Sequence, residues 1–307
     1  MFGKLPIKKL SVGRDRRARR KPCTMKSPTA RPAVAPYHWL LLLAIAAAVA
    51  LAQRTAREID THSTGTPNWT NPPRFKRDVF TFVRIRYGAT GRYYRRRGDY
   101  RWATDFPDSD LNLSWRLQQM TSLKVDPDGR VLELTDKELA DYPWIYIVEP
   151  GDLHFSEEEV ISLRKYLLNG GFLMVDDFWG EAEWDNFYHE IKRVFPDREP
   201  IELEMDHPIF HCVFDLNMPK NKLQVPNIGL GVRSQYDGVT WERDDAEEVH
   251  FKGIFDDKGR MMAIICHNTD NGDGWEREGE HEYYFREFSE KIAYPLGINI
   301  IYYAMTH

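Results

Sequence analysis

Two adjacent aspartates, Asp176 and Asp177, close an apolar run, Phe172 to Val175, and stand just before a segment, Glu183 to Val194, that reads as a helix. Strand, tight turn and helix is the arrangement that holds a nucleophile at the apex of an elbow. An elbow hydrolase needs Ser or Cys there with a histidine base at hand, whereas the residues here are Asp and Phe178. A carboxylate serves instead as nucleophile, general base or metal ligand, and paired carboxylates repel and raise one another's pKa. A plainer role is open to the same pair: satisfying backbone N–H groups where a helix begins. His207, in Asp206-His207-Pro208, and His154 are the histidines weighed as catalytic partners. His211 follows His207 by four residues, a metal-site spacing on a helix, but Pro208 lies between them and a structural loop is the simpler expectation.

Two further segments carry chemical side chains. Asp270-Asn271-Gly272-Asp273-Gly274 has the outline of a calcium loop but lacks the twelve-residue spacing with a terminal glutamate, so an acidic surface loop is expected. Arg92 to Trp102 interleaves arginines with tyrosines and a tryptophan, a pattern that stacks on and pairs with anionic partners. It also suits a loop packed on an acidic body. No motif names a cofactor, and the metal, if any, stays unknown.

The elements that must position these residues follow from periodicity. Asp78 to Gly88 alternates apolar and polar residues and predicts a strand. Residues 89–110 read as a long loop, and Leu111, Leu113, Leu117 and Met120 have helical spacing. Val131 to Leu134 predicts a short strand. Thr135-x-x-Glu138 and Ser156-x-x-Glu159 are capping boxes, each opening a helix. Trp144 to Val148 and Phe172 to Val175 are apolar runs of strand length, Gly253 to His267 a hairpin turning at Asp257-Lys258-Gly259, and Arg286 to Met305 a helix interrupted by Pro295. Alternating strands and helices with continuously apolar strands predict an α/β fold with a mostly parallel sheet covered on both faces. Ligands of such sheets bind beyond the carboxyl ends of the strands. That rule selects Arg86-Tyr87-Gly88, Glu149-Pro150-Gly151-Asp152, Asp176 to Gly180 and His267 to Asp270, with Trp102, Asp105 and Asn112 at the rim. The candidate ligand-binding residues are therefore Tyr87, Gly88, Trp102, Asn112, Glu149, Gly151 and Asp270.

Charge divides the 307 residues unevenly. Residues 1–36 hold eleven Lys and Arg against one acid; residues 37–52 hold no charge; the remainder carries 31 basic and 46 acidic residues. Trp39 to Ala52 is fourteen unbroken apolar residues ending in Ala50-Leu51-Ala52. That is short for a span of about 20 residues and fits the apolar region of a signal peptide with its A-x-A site. Residues 1–52 are therefore expected to be a basic region plus signal peptide or uncleaved N-terminal membrane anchor, with Met1 and Met25 both open as the start. Residues 53–77 are expected as a linker and 78–307 as one periplasmic or otherwise extracytoplasmic domain. An acidic exported domain is not expected to meet nucleic acid. Cys23, Cys212 and Cys266 exclude a disulfide scaffold and a CxxC zinc site; Cys212 and Cys266 are either paired or buried free thiols.

The run YPWIYIVEPGDLHFSEEEVISLRKYLLNGGFLMVDDFWG, with KRVFPDRE and DHPIF after it, resembles the bacterial family catalogued as domain of unknown function 4159 over about residues 78–306. The fold of that family is similar to class I glutamine amidotransferases. The resemblance implies a three-layer, flavodoxin-like sandwich with the Asp177/Phe178 turn at the amidotransferase elbow. The amidotransferase nucleophile would be a cysteine, and none stands there, so that activity is not implied. The leading expectation is a non-catalytic binding module of the cell envelope whose partner is an envelope protein or an anionic glycan. The alternative is a hydrolase, metal-assisted or not, using Asp176 or Asp177 with His207 or His154.

Overall fold

A computed structural model describes residues 54–62, 65–75, 78–89 and 101–307. The expected export segment, residues 1–52, and most of the Arg92–Trp102 cluster lie outside the described residues. Residues 50–307 form one compact unit. Among the described residues no helix is long and apolar enough to cross a membrane.

Seven strands make one sheet in the order β3-β1-β4-β6-β9-β8-β7. They are β1 (Val83–Ile85), β3 (Arg130–Leu132), β4 (Trp144–Val148), β6 (Phe172–Asp176), β7 (Ile201–Glu202), β8 (His250–Phe255) and β9 (Met261–His267). The pairs from β3 to β9 are parallel, and β8 and β7 are added antiparallel. A second, two-stranded sheet pairs β2 (Gly88–Ala89) with β5 (Leu153–His154). From β1 the chain moves out to β3, then returns past β1 to β4. This reversal makes the carboxyl ends of β1 and β4 a switch point, where open α/β sheets bind ligands.

Strand alternation separates two apolar cores. Trp144, Tyr146, Val148, Phe172, Met174, Ile264 and Cys266 face one side, packed with Leu113 and Leu117 of α1 (Asp108–Met120) and with the C-terminal helix. Ile145, Ile147, Leu173, Val175, Ala263 and Ile265 face the other, packed with α2 (Glu157–Leu168) and α3 (Gly180–Val194). Successive side chains of a strand point to opposite faces, so a continuously apolar strand feeds both cores at once. The result is a mostly parallel α/β sheet with helices on both faces, compatible with a flavodoxin-like sandwich.

Several expectations change in detail. Residues 54–75 include parts that dock on the sheet instead of linking: Val131 N–H donates to Arg54 O, Ala56 is buried, and Trp69 Nε1–H donates to Val125 O. The Ser156 box forms, with both reciprocal bonds. The Thr135 box does not. Asp136 Oδ2 accepts from Glu133 N–H, and the helix is a five-residue 3-10 turn, Lys137–Asp141. The segment read as an acidic surface loop contains α5 (Asn271–Glu276), whose six residues are all buried; α4 (Ile228–Asp237) precedes it in the chain. Pro295 does not interrupt the C-terminal helix. A short α6 (Glu282–Tyr284) runs into a π-helical stretch, Phe285–Ala293, and then α7 (Tyr294–Thr306), with Pro295 in its first turn. The wider turns ahead of Pro295 suit a residue that has no N–H to return. Cys212 and Cys266 are free thiols, Cys266 buried in β9 and Cys212 donating to Asn299 O at 3.2 Å.

Candidate functional site

The four segments selected at the strand ends meet. Tyr87 Oη–H donates to the carbonyls of Val148 and Glu149, both at 2.7 Å. Glu149 N–H donates to Asp176 O, Asp177 N–H to Thr269 O, and Asn268 N–H to Phe178 O. The Asn268 side chain accepts from Gly180 N–H at 2.8 Å, at the start of α3. Four non-glycine residues among the described ones take positive φ: Asp105 (62°), Glu149 (46°), Asp177 (57°) and Asn268 (61°). The last three each follow directly on a strand, β4, β6 and β9. Left-handed backbone is costly for residues with a Cβ and concentrates at functional sites. Here it turns each strand end back over the sheet edge, and it puts Asp177 at the apex of the elbow.

Asp105 comes from the connection between β2 and α1, and a buried arginine places it. Arg84, wholly buried on β1, donates to the carbonyls of Trp102 and Thr104, both at 2.9 Å, and to Ser109 Oγ, and pairs with Asp110 at 2.5 Å. Its guanidinium also lies over the Tyr146 ring, 5.1 Å from the centroid. Residues 102–110 are thereby fastened from both sides of Asp105. Asp105 then reaches α5: a Cβ on Gly272 would fall 2.2 Å from Asp105 Oδ2, so only glycine admits that approach.

The two predicted aspartates divide their labour. Asp176 accepts from Asn271 Nδ2–H (2.8 Å), Gly272 N–H (3.1 Å) and Tyr146 Oη–H (3.1 Å). It ties β6 to the first turn of α5; burial pushes its carboxyl up to about 7 against those hydrogen bonds. Asp177 accepts from Trp179 Nε1–H at 3.1 Å. Burial, followed by the negative charges of Glu149 and Asp105, pushes its carboxyl well up. Asp270 caps α5 by accepting from Asp273 N–H at 2.7 Å and is likewise pushed well up, by burial and then Asp177 and Asp273.

These carboxylates converge in two overlapping groups. One oxygen from each of Asp105, Asp177 and Asp270 lies within 4.8 Å of the others, and the same holds for Asp105, Asp273 and Glu276. Glu149 and Glu183 stand beside them and share Arg101, at 3.1 and 3.6 Å. Glu183 also pairs with Arg243 at 2.5 Å, and Gly151 has no Cβ because Glu183 fills that space. Asp273 and Glu276 share Arg277. Asp105, Asp177 and Asp270 form no ion pair with any described residue. Oxygen-only, carboxylate-rich sets are suited to hard divalent cations such as Mg²⁺, Mn²⁺ and Ca²⁺.

The other predicted residues have structural partners. Trp102 is buried against Phe106, and Asn112 is buried with its amide donating to Trp275 O at 2.9 Å. Gly88 pairs with His154 across β2 and β5, and the exposed His154 meets the buried Glu190. His207 accepts from Ile209 N–H and packs on Tyr303; none of its contacts is with the carboxylates. Of the nine residues in the two groups and their rim, sequence spacing pointed to Asp177, Asp270 and Glu149 and put Asp105 at the cleft edge. It left Asp273 in a surface loop, placed Arg101 in a cluster read as pairing with anionic partners, and gave Glu276, Glu183 and Arg84 no site role. The signal that reaches Glu276 is the pair of glycines ahead of it, Gly272 and Gly274, which admit close neighbours on a short helix.

No curated protein matches the chain. The family described as Domain of unknown function (DUF4159) matches residues 81–305, a span that contains every carboxylate of the site, and the chain belongs to that family.

Proposed function

We infer that the domain binds a divalent cation among Asp105, Asp177 and Asp270 and uses it for metal-assisted hydrolysis outside the cytoplasm. The observation that carries this reading is the convergence of three carboxylates from three separate connections, with no cationic side chain among the described residues ion-paired to any of them. Buried charge needs a counter-charge or a proton; a divalent cation supplies the first. Such an ion acidifies a bound water and polarises a substrate oxygen. Asp177, at the apex of the turn, would help hold the ion, and Glu149 beside it would serve as the base. The finer reading of the fold as amidotransferase-like rests on this elbow, with aspartate where the enzymes named carry cysteine. The extracytoplasmic location rests on Trp39 to Ala52 and its Ala50-Leu51-Ala52 end; a mature mass starting at Gln53 supports cleavage, and one that retains residues 25–52 supports an anchor.

The binding-module reading keeps one observation in its favour. Asp176 and Asn112 are committed to structural hydrogen bonds, and among the described residues no Ser, Cys or His side chain is bonded to Asp177. One experiment separates the two. The protein is loaded with Mg²⁺, Mn²⁺ or Ca²⁺ and offered chromogenic ester, phosphoester, amide and glycoside substrates, with EDTA and Asp177→Asn controls. Turnover that EDTA and Asp177→Asn abolish supports the hydrolase. Cation binding without turnover, with capture of an envelope protein or an anionic glycan, selects the module. A protein that binds none of the three ions overturns the cation site.

A further inference from the structure

We propose that the pocket holds two divalent cations and that Asp105 is the ligand they share, with Asp177 and Asp270 completing one position and Asp273 and Glu276 the other. This deepens the proposed function and rests on it. Asp105 is the one member common to both groups of converging oxygens. A carboxylate has two oxygens and can hand one to each of two ions, the bridging role familiar from two-metal sites, whose ions sit about 3.5–4 Å apart.

Two observations independent of the charge point to a ligand. Asp105 Oδ2 is buried with no hydrogen-bond partner among the described residues, although the Gly272 backbone lies against it. Asn271 is wholly buried, its Nδ2–H donates to Asp176 Oδ1, and its Oδ1 is left without a partner. That carbonyl belongs to the residue between Asp270 and Gly272, and the other end of its amide holds Asp176, the neighbour of Asp177. Buried polar atoms are rarely left unpaired, and a bound ion is one of the standard reasons. A neutral amide oxygen beside carboxylates is a hard-cation ligand. The scaffold also favours two positions over one. Asp177 and Asp270 sit on connections after β6 and β9, whereas Asp273 and Glu276 are three residues apart on one face of α5, and Arg277 offsets part of the second group's charge. Among the described residues Asp177 and Asp270 have no such ion-pair partner, so the first position is expected to fill first and more tightly.

The test is a titration of the full chain with Mn²⁺, read by calorimetry and by electron paramagnetic resonance, since two ions on one carboxylate give an exchange-coupled spectrum. Two Mn²⁺ per chain with that spectrum is the expected result. Glu276→Gln should then bind one Mn²⁺ and lose the coupling, and Asp105→Asn should lose the coupling and weaken both positions. Circular dichroism checks that each variant folds; if Asp105→Asn does not, Asp273→Asn joins Glu276→Gln as the second probe. One Mn²⁺ per chain that Asp177→Asn abolishes and Glu276→Gln leaves alone overturns the shared pair while sparing the proposed function. No Mn²⁺ bound overturns both.

Discussion

Asp177 occupies a conformation and an environment that both work against folding. Its backbone is left-handed, and its carboxyl is buried beside Glu149 and Asp105, whose charges resist its ionisation. Asp177→Asn removes that repulsion without changing the shape. The variant is expected to be more stable than the parent in EDTA at neutral pH, by about 0.5–2 kcal/mol, the usual gain when a site is relieved of strain that function requires. Cations should raise its melting temperature by less than they raise the parent's; thermal melts with and without Ca²⁺ or Mn²⁺ check both halves. His267 sets a second, separate limit. Its ring lies between Phe178, Trp184 and His250, with Nε2 3.2 Å from Gly180 O. Burial, aided by the nearby His250 and Lys252 and opposed by the Gly180 carbonyl and Asp245, pushes it down to about 4. Between pH 6.5 and about 4 the unfolded chain takes up this proton and the folded chain does not, so stability falls as pH falls. A shift of that size corresponds to about 3 kcal/mol. Urea melts from pH 7 to pH 4 should show the loss in the parent and a flatter curve in His267→Phe.

Local signals were legible where a neighbour in sequence supplies the partner. Ser156 and Glu159 are three residues apart and cap α2 by themselves, while Val160, Leu163 and Leu167 of that helix face the core. Ser156→Ala is expected to cost about 1 kcal/mol, measured by chemical denaturation, with the cation response unchanged because α2 lies away from the pocket. The hairpin of β8 and β9 and the turn after β6 were readable for the same reason. Thr135 carries the same motif yet caps nothing, because Asp136 bonds to Glu133 and Pro143 ends the segment after one short turn. Helix α5 was illegible: Gly272 and Gly274 lower its intrinsic propensity. It forms because Asp105 Oδ2 and Ala293 each approach a glycine Cα, contacts that exist only in the folded chain. The π-helical stretch before Pro295 is illegible in the same way, since proline marks a break whether the chain stops or widens its turns.

At the scale of the molecule, the sequence pattern specified the class and the edge at which to look. Continuously apolar β4, β6 and β9 imply a parallel sheet covered on both faces, and their carboxyl ends imply the site. It could not specify which side chains converge there. Asp105, Asp177 and the segment from Asp270 to Glu276 lie far apart in the chain, and only the strand order brings them into reach. That dispersal has a kinetic consequence. Asp105 is fastened through Arg84 of β1 and α5 hangs from β9, so the ligand set is incomplete until strands far apart in sequence have joined one sheet. A cation can therefore grip only a chain that has almost finished folding. Adding Ca²⁺ or Mn²⁺ is expected to leave the refolding rate nearly unchanged and to slow unfolding in proportion to the stability gained, as for interactions absent from the transition state. Stopped-flow chevrons with and without the ion would show one limb moving. The ion would then act as a latch on a finished structure, setting how long the folded protein lasts instead of how quickly it is made.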